Sequence, residues 1–190
     1  MIGLLGGSFD PIHHGHLLVA QAAVEALGLA SLRFVPAREQ PFKRGRHGAD
    51  AAHRARMVEL AIAGEPRFGM ERVELERPGP SYTVDTLRAL RAREPDAAFT
   101  LLIGADAVAE LELWREAALL PSLARIVAFA RAGVPAAGSA LVAETITVPS
   151  LEISATAVRG RVTAGRSIRY WVPDAVAEYV AAQGLYRNGE

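Results

Sequence analysis

The most informative stretch of the chain is residues 2–16, which read Ile-Gly-Leu-Leu-Gly-Gly-Ser-Phe-Asp-Pro-Ile-His-His-Gly-His. A short apolar run leads into paired glycines, three of the chain's five histidines follow within four residues, and an amphipathic run continues to residue 27. The order predicts a strand, a glycine turn and the start of a helix. Such a turn lets backbone N–H groups approach a ligand, and a helix N-terminus favours negative charge. His13 and His16 share one helix face, so the motif predicts a site for a phosphate chain.

The composition is that of a folded domain without a charge bias. The chain has 190 residues, 51% of them apolar, and 21 basic residues balance 21 acidic ones. This predicts one packed domain over residues 1–190 and gives no case for a nucleic-acid or membrane-surface partner. The absence of cysteine excludes disulfides, thiolate catalysis and cysteine-ligated zinc. No stretch approaches the roughly 18 apolar residues of a membrane span, so we expect a cytoplasmic protein.

Apolar runs alternate with helix-like segments along the chain. Strands are predicted at 2–5, 32–36, 68–75, 99–103, 126–130 and 145–148. Helices are predicted at 16–27, 51–63, 84–93, 105–113, 155–162 and 174–183, and loops at 38–49 and 133–138. This alternation is typical of an α/β domain: a doubly wound, mainly parallel sheet with helices on both faces, here with a small C-terminal helical part. Ligands of such sheets bind beyond the carboxyl ends of the strands, where the first motif lies.

The histidine motif also allows two other interpretations. Asp10 before Pro11 is good turn chemistry, so the segment could be only the capped start of a helix. His13 and His16, with Asp10 nearby, could instead bind a metal ion. We favour phosphate binding, because paired glycines serve no purpose in a zinc site and the sequence does not obviously supply a further zinc ligand.

Two later segments could add contacts to phosphate. Residues 153–159 read Ile-Ser-Ala-Thr-Ala-Val-Arg, in which Ser154 is a candidate N-cap and Thr156 and Arg159 share a face near the helix start. A hydroxyl, N–H groups and a guanidinium would then converge on phosphate oxygens. For this segment alone, a capped helix with a solvated arginine is the simpler interpretation. In the basic loop, Lys43 could reach across the phosphates or could simply be solvated.

A carboxylate follows the buried strand that ends at Gly104. Asp106 at this point can accept hydrogen bonds from ribose hydroxyls or cap the next helix, and one residue can serve both roles.

Two aromatic segments complete the set of candidates. Residues 81–87 read Ser-Tyr-Thr-Val-Asp-Thr-Leu, and Ser81 or Thr83 could cap the helix that follows. Tyr82 and Trp114 could stack on an aromatic ring, or both could belong to the core.

Together these segments resemble the nucleotidyltransferase superfamily and, within it, the bacterial nicotinate-nucleotide adenylyltransferases. The superfamily pattern is a glycine turn followed by His-x-Gly-His and, later, a Ser/Thr-rich helix start with a basic residue. The closer family is similar in order and spacing over nearly the whole chain. The matching segments are Gly-Gly-Ser-Phe-Asp-Pro-Ile-His at 6–13, Ser-Tyr-Thr-Val-Asp-Thr-Leu at 81–87, Ile-Gly-Ala-Asp at 103–106, Trp-Arg at 114–115 and Ser-Ile-Arg-Tyr-Trp-Val-Pro at 167–173.

The resemblance implies a Rossmann-like fold and one reaction. ATP and nicotinate mononucleotide would give nicotinate adenine dinucleotide and pyrophosphate, a step of NAD biosynthesis. The attacking phosphate is already ionised at neutral pH, so catalysis would rest on positioning and charge stabilisation rather than on a general base. Magnesium would arrive with the triphosphate and not in a carboxylate cage, so no metal ligand is predicted.

The resemblance also implies a role for each matching residue. The catalytic residues would be His13, His16, Lys43 and Arg159. ATP would be held by Gly6, Gly7, Ser8, Phe9, Gly15, Gly104, Asp106, Ser154 and Thr156. Nicotinate mononucleotide would be held by Tyr82, Thr83, Trp114 and Arg115.

Two positions depart from the family pattern, and three rival functions stay open. Ala155 stands where the family has a second Ser or Thr, and Phe42 stands where it has a histidine, so one hydroxyl and one imidazole contact are not carried over. The rivals are another adenylyl- or cytidylyltransferase, a nucleotide-binding regulator that has lost catalysis, and a histidine-liganded metal protein. The segments at 81–83 and 114–115 argue against the first rival. The oligomeric state is not predicted.

Overall fold

The apolar runs of the chain form the strands of a parallel sheet. The computed structural model describes residues 1–39, 48–131 and 138–187. Within these ranges six strands pair in the order β3-β2-β1-β4-β5-β6, every pair parallel. The strands are β1 (Ile2–Gly7), β2 (Ser31–Pro36), β3 (Phe68–Met70), β4 (Phe99–Gly104), β5 (Arg125–Arg131) and β6 (Glu144–Val148).

Helices connect these strands, as the alternation of the sequence predicts. They are α1 (His14–Leu27), α2 (Ala51–Ile62), α3 (Val73–Glu76), α4 (Thr83–Arg93), α5 (Ala105–Val108), α6 (Leu120–Leu123), α7 (Ala155–Thr163) and α8 (Asp174–Gln183). Short 3-10 turns lie at Leu111–Leu113 and Ala117–Leu119. No helix of the described ranges is both long and apolar enough to cross a bilayer.

The sheet is covered on both faces, so the doubly wound prediction is confirmed. Successive strand residues point to opposite faces, and accordingly Leu5 and Leu102 join one apolar cluster while Leu4 and Leu101 join the other. The first cluster contains buried residues of α1, α2, α7 and α8, and the second contains buried residues of α4 and α6.

The strand order creates a crevice beside β1. Strands added before β4 lie on one side of β1, and β4, β5 and β6 lie on the other. Ligands of such sheets bind where the order reverses, outside the carboxyl ends of the two central strands. The glycine–histidine motif follows β1, and Gly104 ends β4, so both predicted segments border this crevice.

The predicted strand at 68–75 is wrong in its second half. The strand ends at Met70, and α3 begins at Val73. The strand does not continue because Glu71 and Glu74, three positions apart, are both buried, whereas a strand would place them on opposite faces. The Glu71 carboxylate accepts a hydrogen bond from the Val73 N–H (3.1 Å), which turns the chain into the helix.

Other boundaries differ by a few residues or by helix type. The first helix begins at His14 rather than at residue 16, because His13 is its extended N-cap residue. The predicted helix at 105–113 divides into α5 and a 3-10 turn. The second 3-10 turn and α6, which carries Pro121 in its first turn, were not predicted.

Candidate functional site

The glycine turn after β1 is built around a buried phenylalanine. Phe9 is 2% exposed and has a positive φ of 48°, and its ring packs edge-to-face against those of Phe34 and His16. A Cβ at Gly7 would lie 2.9 Å from the Phe9 ring, so this position requires glycine. The Phe9 side chain therefore belongs to the core, and only its backbone can serve the predicted ATP contact.

The two histidines of the motif lie stacked at the start of α1. Their ring centroids are 3.7 Å apart, and the His13 backbone N–H donates to His16 Nδ1 (3.2 Å). A Cβ at Gly15 would lie 3.0 Å from His13 Nδ1, so glycine leaves room for the ring. This packing sets the direction of both imidazoles.

His13 is held in its neutral form. Burial, and then the nearby His14, lower the pKa of His13 from 6.5 to about 4. Its Nδ1 atom is buried and has no hydrogen-bond partner among the described residues. Burying this atom without a partner costs less in the neutral imidazole than in the charged form, which agrees with the lowered pKa.

The segment at 153–159 faces the histidine motif. Ser154 Oγ accepts from the Ala157 N–H (3.1 Å), so the predicted N-cap of α7 is confirmed. Arg159 donates through Nη1 to the Asp10 carbonyl (2.7 Å) and through Nη2 to Thr156 Oγ1 (3.3 Å). The interpretation of Arg159 as merely solvated is wrong, because the guanidinium joins α7 to the turn after β1.

Asp10 is a buried carboxylate held by hydrogen bonds from three other residues of the chain. It is 3% exposed and accepts from the N–H groups of Gly48 (2.8 Å) and Ala49 (3.1 Å) and from the Tyr186 hydroxyl (2.8 Å). Burial, followed by the charge of Asp10, raises the pKa of Tyr186, which keeps this hydroxyl a donor. The described ranges contain no group of three or more His, Cys, Asp or Glu that could hold a metal ion.

Asp106 lies where the sequence places it, at the carboxyl end of β4. Gly104 is the N-cap residue of α5, and Asp106 lies in the first turn, so the alternative that Asp106 is itself the N-cap is wrong. A Cβ at Gly104 would overlap Asp106 Oδ1, so the carboxylate folds back over the glycine. Asp106 is exposed beside the crevice.

The predicted nicotinate residues lie together on the other side of the crevice. The Arg115 guanidinium lies over the Tyr82 ring, 4.9 Å from its centroid. Trp114 and Tyr82 both pack, partly buried, against the same apolar cluster. Tyr82 is the N-cap residue of α4, and Thr83 is the first helical residue. The expectation that Ser81 or Thr83 caps α4 is wrong.

Ser81 instead anchors the chain from β2. Its hydroxyl accepts from the Arg38 N–H (3.1 Å), and its own N–H donates to the Glu39 carbonyl (2.9 Å). Lys43 lies outside the described residues.

Two buried charged residues near these segments were not predicted from the sequence. Arg54 is 1% exposed and donates to three backbone carbonyls, and Glu74 is 8% exposed and accepts from the Thr86 hydroxyl (2.7 Å). Burial raises the pKa of Glu74 above its usual range. One signal was available: Arg54 falls three and four residues before Met57 and Val58, on the apolar stripe of α2, where a charge needs a partner.

The chain is similar to known proteins over nearly its whole length. A family model described as cytidylyltransferase-like matches residues 4–161. A "probable nicotinate-nucleotide adenylyltransferase" of Thermus thermophilus is 48% identical over 98% of this chain and 99% of its own length. One of Gemmatimonas aurantiaca is 46% identical over 98% of this chain and 92% of its own length.

A solved structure has the same fold. It is nicotinic acid mononucleotide adenylyltransferase of Plasmodium falciparum in complex with NaAD, with a TM-score of 0.79 at 20% identity over 100% of this chain and 98% of that one. The likeness in fold, the family model and the full-length relatives agree. The chain belongs to the cytidylyltransferase-like family and, within it, to the nicotinate-nucleotide adenylyltransferases.

Proposed function

We propose that this chain transfers the adenylyl group of ATP to nicotinate mononucleotide, giving nicotinate adenine dinucleotide and pyrophosphate. The observation that carries the proposal is the contact of Arg159 with the Asp10 carbonyl, which brings the helix start at 154–159 against the histidine motif. Two segments suited to phosphate thus face each other at the crevice of a doubly wound sheet.

The reaction is an in-line displacement at the α-phosphorus of ATP. A phosphate oxygen of the mononucleotide forms the new P–O bond, and the bond from the α-phosphorus to the oxygen bridging it to the β-phosphorus breaks. Pyrophosphate leaves with the electron pair. Since the attacking phosphate is already ionised, the protein needs to position the two substrates and to stabilise the charge that develops.

His13 and His16 are the donors nearest the reacting centre in this proposal. A neutral imidazole is one donor and one acceptor, so His13 can donate to a phosphate oxygen from one ring nitrogen without carrying a charge. The His13 ring is stacked on the His16 ring, and this contact holds both rings in one orientation. The fixed orientation is what makes such donors effective, because little reorganisation is needed in the transition state.

The pyrophosphate end of ATP is assigned to the polar groups at the start of α7, beside the histidine motif. Arg159, Thr156 and the N-terminus of α7 support this assignment because they lie together at one helix start. Lys43 is assigned to the same phosphates from the family resemblance alone. Asp106, exposed at the end of β4, would accept hydrogen bonds from the adenosine ribose.

The nicotinate end is assigned to the start of α4. Tyr82 and Trp114 offer aromatic surface, and the N–H groups at the start of α4 favour a negatively charged group. Arg115 lies over the Tyr82 ring, but its charge is already paired with Asp85 and Glu116. A carboxylate distinguishes nicotinate from nicotinamide, so these N–H groups support the acid form of the base.

Magnesium is proposed to enter with ATP, bound to the triphosphate as part of the substrate. We further propose that residues 1–190 form a single nucleotidyltransferase domain, because the family model spans 4–161 and the relatives match nearly all of the chain.

The position of isotopic label tests the reaction. With ATP labelled at the α-phosphate, label should appear in the dinucleotide, and with ATP labelled at the γ-phosphate it should appear only in pyrophosphate. Label from the γ-phosphate in the nucleotide product would mean phosphoryl transfer and would refute the proposal. ATP binding without pyrophosphate release would support a regulator that has lost catalysis.

A further inference from the structure

Arg54 is a buried arginine that reaches three separate segments of backbone. Its Nη1 donates to the Ser8 carbonyl (2.6 Å), its Nη2 to the Arg38 carbonyl (3.0 Å) and its Nε to the Ala49 carbonyl (3.2 Å). The side chain is 1% exposed, so these bonds are made away from water. Desolvating a guanidinium is expensive, and the cost is offset only when its donors are well satisfied.

One of these carbonyls belongs to the turn whose N–H groups are proposed to bind the phosphates of ATP. Ser8 lies between Gly7, which ends β1, and Phe9, whose φ is positive. The Ser8–Phe9 peptide bond is trans, so its C=O and N–H groups point in opposite directions. Since the Ser8 carbonyl points at Arg54, the Phe9 N–H points away from it.

Both backbone polar groups of Ala49 are hydrogen-bonded to buried charged side chains, one of which is Arg54. The Ala49 carbonyl accepts from Arg54, and the Ala49 N–H donates to the Asp10 carboxylate (3.1 Å). Asp10 is in turn held by the Tyr186 hydroxyl and by Gly48. The turn after β1 is therefore held on two sides, by Arg54 at Ser8 and by these donors at Asp10.

We propose that Arg54 is a positioning residue for ATP: by holding the Ser8 carbonyl, it directs the Phe9 N–H toward the phosphates. The proposal rests on the proposed function in taking ATP as the ligand, but it does not depend on which mononucleotide is the acceptor. Arg54 itself makes no contact with substrate in this account. A lysine cannot replace it, because one ammonium group cannot reach three carbonyls that approach from three directions.

The test compares Arg54→Lys with Arg56→Lys. Arg56 lies on the same helix but is exposed and pairs with Glu59, so its replacement controls for loss of a guanidinium on α2. We expect Arg54→Lys to raise the KM for ATP and the dissociation constant of ATP about tenfold, the effect of misplacing one donor to a charged phosphate. The KM for nicotinate mononucleotide should change by less than about twofold, and Arg56→Lys should match the wild type.

ATP binding measured without a mononucleotide separates this proposal from the proposed function. If wild type binds ATP but does not turn over, the reaction assignment fails, and the effect of Arg54→Lys on ATP binding still decides the role of Arg54. A folded Arg54→Lys variant with unchanged ATP affinity, or with equal losses for both substrates, would overturn the proposal.

A second variant covers the case in which lysine is too costly to bury. Arg54→Gln is neutral, retains an amide donor and should show the same selective loss of ATP affinity. If neither variant folds at 10 °C, Arg54 serves the folding of the domain rather than the placement of the turn, and the proposal is wrong.

Discussion

Arg159 Nη1 donates to the carbonyl oxygen of Asp10 at 2.7 Å, although 149 positions separate the two residues in the chain. The bond joins the start of α7 to the turn after β1, so the two segments that suit phosphate form one wall of the crevice. On α7 itself, Arg159 also contacts Thr156, whose hydroxyl accepts a hydrogen bond from Nη2 of the same guanidinium. A phosphate chain bound there would meet donors from both ends of the chain.

Removing this guanidinium should damage the use of ATP. Arg159→Ala removes a positive charge from the pyrophosphate end of the site, and we expect kcat/KM for ATP to fall on the order of 100-fold. Arg161→Ala is the control, because Arg161 lies on the same helix but contacts the Trp171 ring and the Ser167 carbonyl. The value of kcat/KM for ATP should be measured for both variants and the wild type by steady-state kinetics at saturating mononucleotide. Equal activity of the two variants would contradict the role of Arg159.

The histidines at the start of α1 offer a matched pair of variants. His16→Ala should lower kcat on the order of 100-fold or more, because a fixed donor to developing charge is lost. His14→Ala should retain near wild-type kcat, since alanine retains the backbone N–H that donates to the Trp171 carbonyl (3.1 Å). A folded His16→Ala enzyme with normal turnover would refute the assigned role.

Stability should fall on acidification because His13 is buried as the neutral form. The pKa of His13 is about 4 in the folded chain, against 6.5 as its ordinary value. Between these values the unfolded chain binds more protons, so this group contributes stability above pH 6.5 that is lost as the pH falls toward 4. Relative to His13→Asn, we expect wild type to lose about 2 kcal/mol between pH 7.5 and pH 5.

Urea unfolding of both proteins at the two pH values measures this difference. The comparison removes the contribution of the other histidines, which both proteins share. An equal pH dependence for wild type and His13→Asn would mean that His13 is not buried as the neutral form.

Glu74 should matter for the mononucleotide more than for ATP. Its carboxyl accepts from the Thr86 hydroxyl and contacts Ser81, on either side of the helix start that carries Tyr82. Glu74→Ala should raise the KM for nicotinate mononucleotide several-fold to tenfold, because Thr86 and Ser81 lose the carboxyl group that both contact at the start of α4. Glu74→Gln retains an acceptor and should restore most of the loss.

Glu76→Gln, an exposed position on the same short helix, should have no effect on either KM. If Glu74→Ala raises both KM values by the same factor, Glu74 stabilises the whole domain rather than the nicotinate end.

The fold could be predicted largely from the period of the apolar residues, because that period is a local property. Helix 174–183 matches its predicted bounds, and the strands at 99–103 and 126–130 are each found with small extensions. The half of segment 68–75 that was wrong contains Glu71 and Glu74, whose burial depends on Arg33, Arg93 and Thr86 elsewhere in the chain. The local pattern of apolar and charged residues cannot show which distant residues will pair with a glutamate.

The same reason explains which site residues could be found. Motif residues such as Ser154 and Arg159 can be predicted from their spacing, because the pattern spans only a few positions. Arg54 does not, because its partners at 8, 38 and 49 are carbonyl groups that every residue possesses. Only its position on the apolar stripe of α2 distinguishes it.

We propose that the crevice joins ATP to an acidic pyridine mononucleotide, and the ratio of kcat/KM for two mononucleotides tests this. Pyrophosphate release should be measured with ATP and Mg²⁺ at matched concentrations of nicotinate and nicotinamide mononucleotide. The arrangement of Tyr82 and Trp114 at the start of α4 predicts that kcat/KM favours the nicotinate form on the order of 100-fold, as expected when fixed N–H donors meet or lack a charged partner. Equal rates, or a preference for nicotinamide, would contradict the account of the nicotinate end.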